Sequence, residues 1–199
     1  MRIPKPSSPT EKTLTHSRKK PSTENFKGAP TEWILDGLSP DTRYFYEVPS
    51  NGADQNALPT KVPHSFVTAR PLGAAFTFTV QAGSHLDVGT DIEAYQKSLA
   101  HALTAKADFH SDLGDTLMTD KYLRFTDATA HYVAQRYYLG LIGADAPIFL
   151  VQGNHDGEQP ARGGGEPGSM AHWSNQTRRK YFPAPRPNNF YSGSERADE

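Results

Sequence analysis

The chain contains no cysteine among its 199 residues. Without thiols it forms no disulfide, and any metal site must be built from imidazole, carboxylate, amide or hydroxyl groups instead of thiolates. This absence limits the available chemistry, although it does not identify a cellular compartment.

Long apolar runs are also missing. No stretch of about 18 apolar residues occurs, and residues 1–27 lack the apolar core of a secretion signal. The formal net charge is −1, and no dense basic face follows residue 27, so a nucleic-acid-binding surface is not predicted. We expect neither a membrane-spanning segment nor a recognisable export signal.

The chain is instead rich in loop-forming residues, with 16 prolines and 16 glycines. Residues 1–30 contain few apolar side chains, too few to offset the entropy of ordering, so we expect a disordered leader. Within residues 31–70, the segment 32–48 alternates apolar and polar side chains on both sides of a turn at residues 37–41, which predicts a β-hairpin. Another short strand is predicted at residues 64–68.

The turn at residues 37–41 opens the run Gly-Leu-Ser-Pro-Asp-Thr-Arg-Tyr-Phe-Tyr, which ends at Tyr46. This run resembles the Leu-x-Pro-x-Thr-x-Tyr-x-Tyr corner of fibronectin type III-like domains, in which a tyrosine hydroxyl bonds to upstream backbone. The resemblance implies a β-sandwich module. A complete module needs about seven strands in about 100 residues, so we expect residues 31–70 to hold only part of one.

Residues 74–199 change to alternating strand and helix patterns. Three apolar or alternating stretches predict strands, and two stretches with apolar residues three or four apart predict helices between them. In chain order these five elements are residues 75–82, 91–107, 107–113, 122–141 and 147–152. Thr90 is the predicted N-cap of the first helix. The order β-α-β-α-β predicts an α/β fold with a parallel sheet.

A polar cluster follows each predicted strand. The clusters begin with Gly-Ser-His at residues 83–85, Gly-Asp at residues 114–115 and Gly-Asn-His-Asp at residues 153–156. Because parallel strands end at one edge of a sheet, we expect the clusters to converge. Imidazole, carboxylate and amide groups together suit Mn, Fe or Zn. The alternative is that each cluster is an ordinary turn, since Gly-Asn and Asp-Gly are common turn pairs.

Taken in this order, the three motifs resemble the calcineurin-like metallophosphoesterase superfamily, which includes purple acid phosphatases with a fibronectin-like N-terminal module. The resemblance implies phosphoester hydrolysis by two ions of Fe, Mn or Zn, about 3.5 to 4 Å apart, that bridge an activated hydroxide. It implies that His85 binds the first ion, Asp115 bridges both and Asn154 binds the second. His155 would contact the phosphoryl group or protonate the leaving oxygen, with Asp156 orienting His155.

Two departures from the family pattern lower the expected activity. Gly83 stands where the family has a metal-binding aspartate, and only His172 follows His155, so the later histidine motif is missing. The resemblance covers only the N-terminal part of a catalytic domain, and we expect the chain alone to be inactive or weakly active. A second hypothesis is a non-catalytic fragment or interaction module that binds no metal.

Overall fold

A computed structural model of the chain describes residues 10–14, 17–19, 28–48, 63–156 and 166–182. Within these ranges the chain is of mixed α/β class, with three α-helices and three small sheets. The coarse α/β prediction is therefore confirmed. None of the helices in the described ranges is long and apolar enough to cross a membrane.

The N-terminal part of the chain forms two of the three sheets. Its five short strands are β1 (Glu11–Thr13), β2 (Arg18–Lys19), β3 (Trp33–Ile34), β4 (Arg43–Tyr46) and β5 (His64–Val67). Strand β4 lies between β1, which is parallel to it, and β5, which is antiparallel to it, while β2 and β3 form a separate antiparallel pair. Strands β1 and β2 lie in the stretch for which the sequence predicted no regular structure.

The predicted hairpin across residues 37–41 is wrong, because β3 and β4 do not pair with each other. After the turn, Asp41 N–H donates to the Ala69 carbonyl and Thr68 N–H to the Thr42 carbonyl, which directs β4 towards β5. Apolar alternation sets the face of a strand but not its partner. The hydroxyl contact expected of the tyrosine corner is present, with Ser39 N–H donating to the Tyr44 hydroxyl at 2.9 Å.

The third sheet consists of three parallel strands paired side by side in chain order: β6 (Phe78–Gln81), β7 (Phe109–Asp112) and β8 (Ile148–Leu150). Helix α1 (Ile92–Thr104) joins β6 to β7, α2 (Phe125–Gly143) joins β7 to β8, and α3 (Met170–Tyr181) follows. The predicted parallel βαβαβ layer is therefore confirmed, with strands shorter than the apolar runs.

The N-cap of helix α1 lies one residue later than the sequence predicted. Asp91 is the N-cap, and its carboxylate accepts the Ala94 N–H at 3.0 Å. The Thr90 hydroxyl instead donates to the His85 carbonyl at 2.8 Å. Thr90 therefore fixes the loop that follows β6 instead of starting the helix.

Helices cover one face of the β6–β8 sheet, whereas the other face is largely exposed. Helices α1 and α2 pack on one face around a core of Leu86, Tyr95, Leu99, Ile142 and Ala146. On the other face, the apolar side chains are about half exposed except for Phe109, which is partly buried, and their rings contact one another at centroid distances of 5.3 to 6.0 Å. We call this the phenylalanine face; it comprises Phe76, Phe78, Val80, Phe109, Phe149 and Val151.

Candidate metal centre

The loops after β6 and β7 run side by side beyond the end of the sheet. Gly83 N–H donates to the Gly114 carbonyl and His85 N–H to the Asp115 carbonyl, both at 2.9 Å. Leu86 continues this ladder by bridging to Leu117 in parallel. The main chain therefore carries His85 and Asp115 to the same edge, as the sequence predicted for parallel strands.

The loops after β7 and β8 touch through two glycines. A Cβ atom added at Gly114, where φ is +94°, would lie 2.3 Å from the Gly153 nitrogen, and one added at Gly153 would lie 2.3 Å from the Asp115 nitrogen. No side chain fits either position unless the backbone moves. The glycines in these two motifs therefore allow the second and third loops to meet.

Asp156 closes the third loop onto the second. Its carboxylate is 1% exposed and accepts three backbone N–H groups, from Thr116 at 3.0 Å, Leu117 at 2.7 Å and Gly153 at 2.9 Å. Burial raises the pKa of this carboxyl, although the N–H groups of Gly153 and Leu117 oppose the rise. The resemblance implied that Asp156 orients His155, but its side chain instead holds the loop backbone.

Asp112 is a second buried carboxylate, and the sequence did not single it out. It ends β7 with 1% exposure and accepts the Gln81 side-chain amide at 2.7 Å, the Gly114 N–H at 3.0 Å and the Thr116 hydroxyl at 2.9 Å. The available signal was an acidic residue at an inward-facing position of a strand, two residues before the glycine. Asp112 braces the second loop from below.

The side chains of three residues from these loops, His85, Asp115 and His155, lie close together. The ligand atoms of His85, Asp115 and His155 all lie within 4.8 Å of one another. The Nε2 atom of His85 is 3.7 Å from the Oδ2 atom of Asp115, and the two imidazole rings meet edge to face at a centroid distance of 5.4 Å. Their partial exposure leaves the group open to small molecules. Two imidazoles and one carboxylate are groups that could hold a divalent ion.

His85 and Asp115 have unusual backbone conformations, with φ angles of +46° and +53°. Positive φ is uncommon outside glycine and unfavourable, although Asp and His are among the more tolerant residues. Such conformations concentrate at functional sites, where the surrounding structure enforces them. Here the backbone hydrogen bonds between the loops after β6 and β7, including the one from His85 N–H to the Asp115 carbonyl, hold both residues in these conformations.

The orienting partner of His155 is Asp120. The Asp120 Oδ2 atom lies 2.8 Å from His155 Nδ1, while the His155 N–H donates to Asp115 Oδ1 at 2.9 Å. Asp120 lies on a 3₁₀ turn (Thr119–Lys121), five positions after Asp115 along the chain. The sequence did not assign Asp120 to His155, because nothing in an irregular loop indicates where a side chain points.

Asn154 is the remaining residue for which a role was predicted. It begins the 3₁₀ turn Asn154–Asp156 beside His155, and it is exposed. Its role as a ligand stays a prediction. His172, the last histidine, lies on α3 with its Nε2 atom 2.8 Å from the Gln176 side-chain nitrogen.

Comparisons with known proteins add no relative to this description of the site. No family model matches the chain, and neither a curated protein nor a solved structure matches it.

Proposed function

We propose that this chain carries the metal-binding edge of a metal-dependent phosphoester hydrolase. The convergence of His85, Asp115 and His155 within 4.8 Å is the observation that supports this proposal. The phosphoester substrate comes from the resemblance of the three loop motifs to the metallophosphoesterase pattern. The fold class and the common edge of the three loops agree with both.

The residues of the site divide into those that would hold the ion and those that hold the loops. His85 and Asp115 would supply ligand atoms to the ion, and His155 is fixed beside them by Asp120. A bound ion would supply Lewis-acid polarisation of a phosphoryl oxygen at this edge. The side chain of His85 is 47% exposed, so a phosphoester can reach this edge from solvent.

The chain's own hydrolytic rate is expected to be low. Gly83 provides no side chain at the position of the family's first metal ligand, and an added Cβ there would lie 3.7 Å from His85 Nε2. A ligand at position 83 would therefore point towards the same group of atoms. Its absence leaves fewer ligands than two ions need, since catalytic sites use about three protein ligands per metal.

A second candidate function is a non-catalytic interaction module. The phenylalanine face favours it, because Phe76, Phe78 and Phe149 are each at least 50% exposed and contiguous apolar patches of this kind often mark binding surfaces. This candidate predicts no bound metal. Metal content therefore separates the two functions.

The proposed function is tested by hydrolysis of p-nitrophenyl phosphate and bis(p-nitrophenyl) phosphate with added Mn²⁺, Fe²⁺ or Zn²⁺. We expect slow hydrolysis above the metal-only background, lost in Asp115→Asn. Asn keeps the shape of the side chain but removes its charge, so folding is preserved. Equal rates for the wild type and Asp115→Asn would contradict the proposal.

A further inference from the structure

We infer that this edge holds one metal ion, not two, and that His155 binds it through Nε2 instead of acting as a proton donor. The inference rests on the proposed function only for the location of the metal. It departs from what the motif resemblance implies for both the number of ions and the role of His155.

The distances fit a single ion. Two ligand atoms bound to one tetrahedral zinc at about 2.0 to 2.1 Å are about 3.3 Å apart. The His85 Nε2 and Asp115 Oδ2 atoms are 3.7 Å apart without any ion, and the group's ligand atoms are all within 4.8 Å. Small side-chain rotations therefore complete a three-ligand site with an open fourth position. Two imidazoles and one carboxylate are a common set for a single catalytic ion.

The hydrogen bonds of Asp115 and His155 leave one ligand atom of each residue available to a metal. Asp115 Oδ1 accepts the His155 backbone N–H, so Oδ2, the oxygen nearer to His85 Nε2, is available to a metal. His155 Nδ1 is paired with Asp120, so Nε2 is the nitrogen left for a metal. Metal-binding histidines usually donate their other ring N–H to a carboxylate or carbonyl, which fixes the tautomer and raises ligand basicity. The Asp120 pair is such an arrangement.

A second ion lacks comparable ligands in the described part of the chain. The group of His85, Asp115 and His155 is the one set of three or more histidine and acidic side chains found close enough to hold an ion there. Asp112 and Asp156 lie near this edge, but both are buried and their oxygens accept bonds from the loops. The nearby carboxylates therefore brace the framework instead of extending the site.

The experiment measures zinc per chain after equilibrium dialysis of the full 199-residue protein, by plasma mass spectrometry, together with zinc affinity by competition with a chelating dye. We expect one zinc per chain. His155→Ala should weaken binding about 100-fold or more and Asp120→Asn about 10-fold, with Asn154→Ala within about 2-fold. Two zinc ions per chain, no zinc, or a larger loss in Asn154→Ala than in His155→Ala would overturn the inference.

A spectroscopic measurement on the unaltered chain avoids dependence on variants that fail to fold. Side-chain ¹⁵N spectra should show that zinc shifts the Nε2 resonances of two of the eight histidines, His85 and His155. A shift of His85 alone would overturn the role given to His155. One bound zinc without phosphoester hydrolysis would refute the proposed function and leave this inference intact, whereas hydrolysis with two bound ions would do the reverse.

Discussion

The two ends of strand β7 carry carboxylates with different partners. Before the strand, Asp108 accepts hydrogen bonds from the Arg70 guanidinium at 2.9 and 3.1 Å and from the Thr77 N–H at 2.9 Å. After the strand, Asp115 faces the His85 imidazole. Arg70 also bonds to Asp41, so the first carboxylate joins the N-terminal turn to the sheet. The partners of a carboxylate, not its residue type, therefore separate aspartates that hold the fold from those that face a ligand.

Asp156 holds the fold as Asp108 does, although it lies in a motif beside His155. Its three N–H partners come from the second and third loops. We therefore expect that removing the carboxylate of Asp108 or Asp156 lowers stability, whereas changing Asp115 alters metal binding with little effect on the stability of the metal-free protein.

The largest effect is expected for Asp156→Ala. Removal of the carboxylate leaves the buried N–H groups of Thr116, Leu117 and Gly153 without their acceptor, a loss of about 3 to 5 kcal/mol in the free energy of unfolding. Urea unfolding of the metal-free protein measures it. A loss below about 1 kcal/mol would show that the Asp156 carboxylate does not hold the loops together.

A somewhat smaller loss is expected for Gly153→Ala. The added methyl would lie 2.3 Å from the Asp115 nitrogen and 2.4 Å from its Oδ1 atom, so the backbone must shift, at about 3 kcal/mol. The matched control is Gly140→Ala, in an exposed helical position with no atom within 4 Å of the new methyl. That control should gain up to about 1 kcal/mol. Equal melting temperatures for the two variants would contradict the close approach of the loops.

Asp108→Asn should lower stability by about 1 kcal/mol at neutral pH, since the Arg70 pair is partly solvent-exposed. Burial raises the pKa of Asp108, but the Arg70 and Thr77 hydrogen bonds outweigh it and leave the pKa below its ordinary value. A depressed pKa in the folded state stabilises the fold above the unfolded value of about 4. This stabilisation is lost as the pH falls through the folded pKa.

The measurement for Asp108 is urea unfolding of wild type and Asp108→Asn over a series of pH values. Their difference should shrink as the solution is acidified. A difference that stays constant down to about pH 2, well below the ordinary aspartate pKa, would show that Asp108 does not act through its charge.

The smallest change in stability is expected for Asp115→Asn. Asn keeps the oxygen that accepts the His155 N–H and tolerates the φ of +53° at this position, so the metal-free protein should change by less than about 0.5 kcal/mol. Zinc affinity should nevertheless fall at least about 100-fold. Parallel unfolding and zinc titrations check both. A large loss of metal-free stability would place Asp115 with Asp108 and Asp156.

The sequence was sufficient to predict the order of strands and helices from β6 to β8. Apolar periodicity specifies those elements, and their parallel order brings His85, Asp115 and His155 to one edge. The positions of the site followed from topology alone, without any knowledge of side-chain contacts.

The partners within the site did not follow from the sequence. Asp156 is adjacent to His155 in the chain, yet its side chain turns to the loop backbone, while Asp120 reaches His155 from an irregular turn. The predicted strand pairing in the N-terminal part of the chain was wrong for a similar reason, because apolar alternation does not determine which strand is the neighbour. Each of these features depends on contacts between segments distant in the chain.

The most direct test of the central claim is anomalous diffraction from crystals of the chain grown with zinc. We expect one anomalous peak, in contact with His85 Nε2, Asp115 Oδ2 and His155 Nε2, with Asp120 still at His155 Nδ1. Two peaks at this edge, or one peak that His155 does not contact, would contradict it.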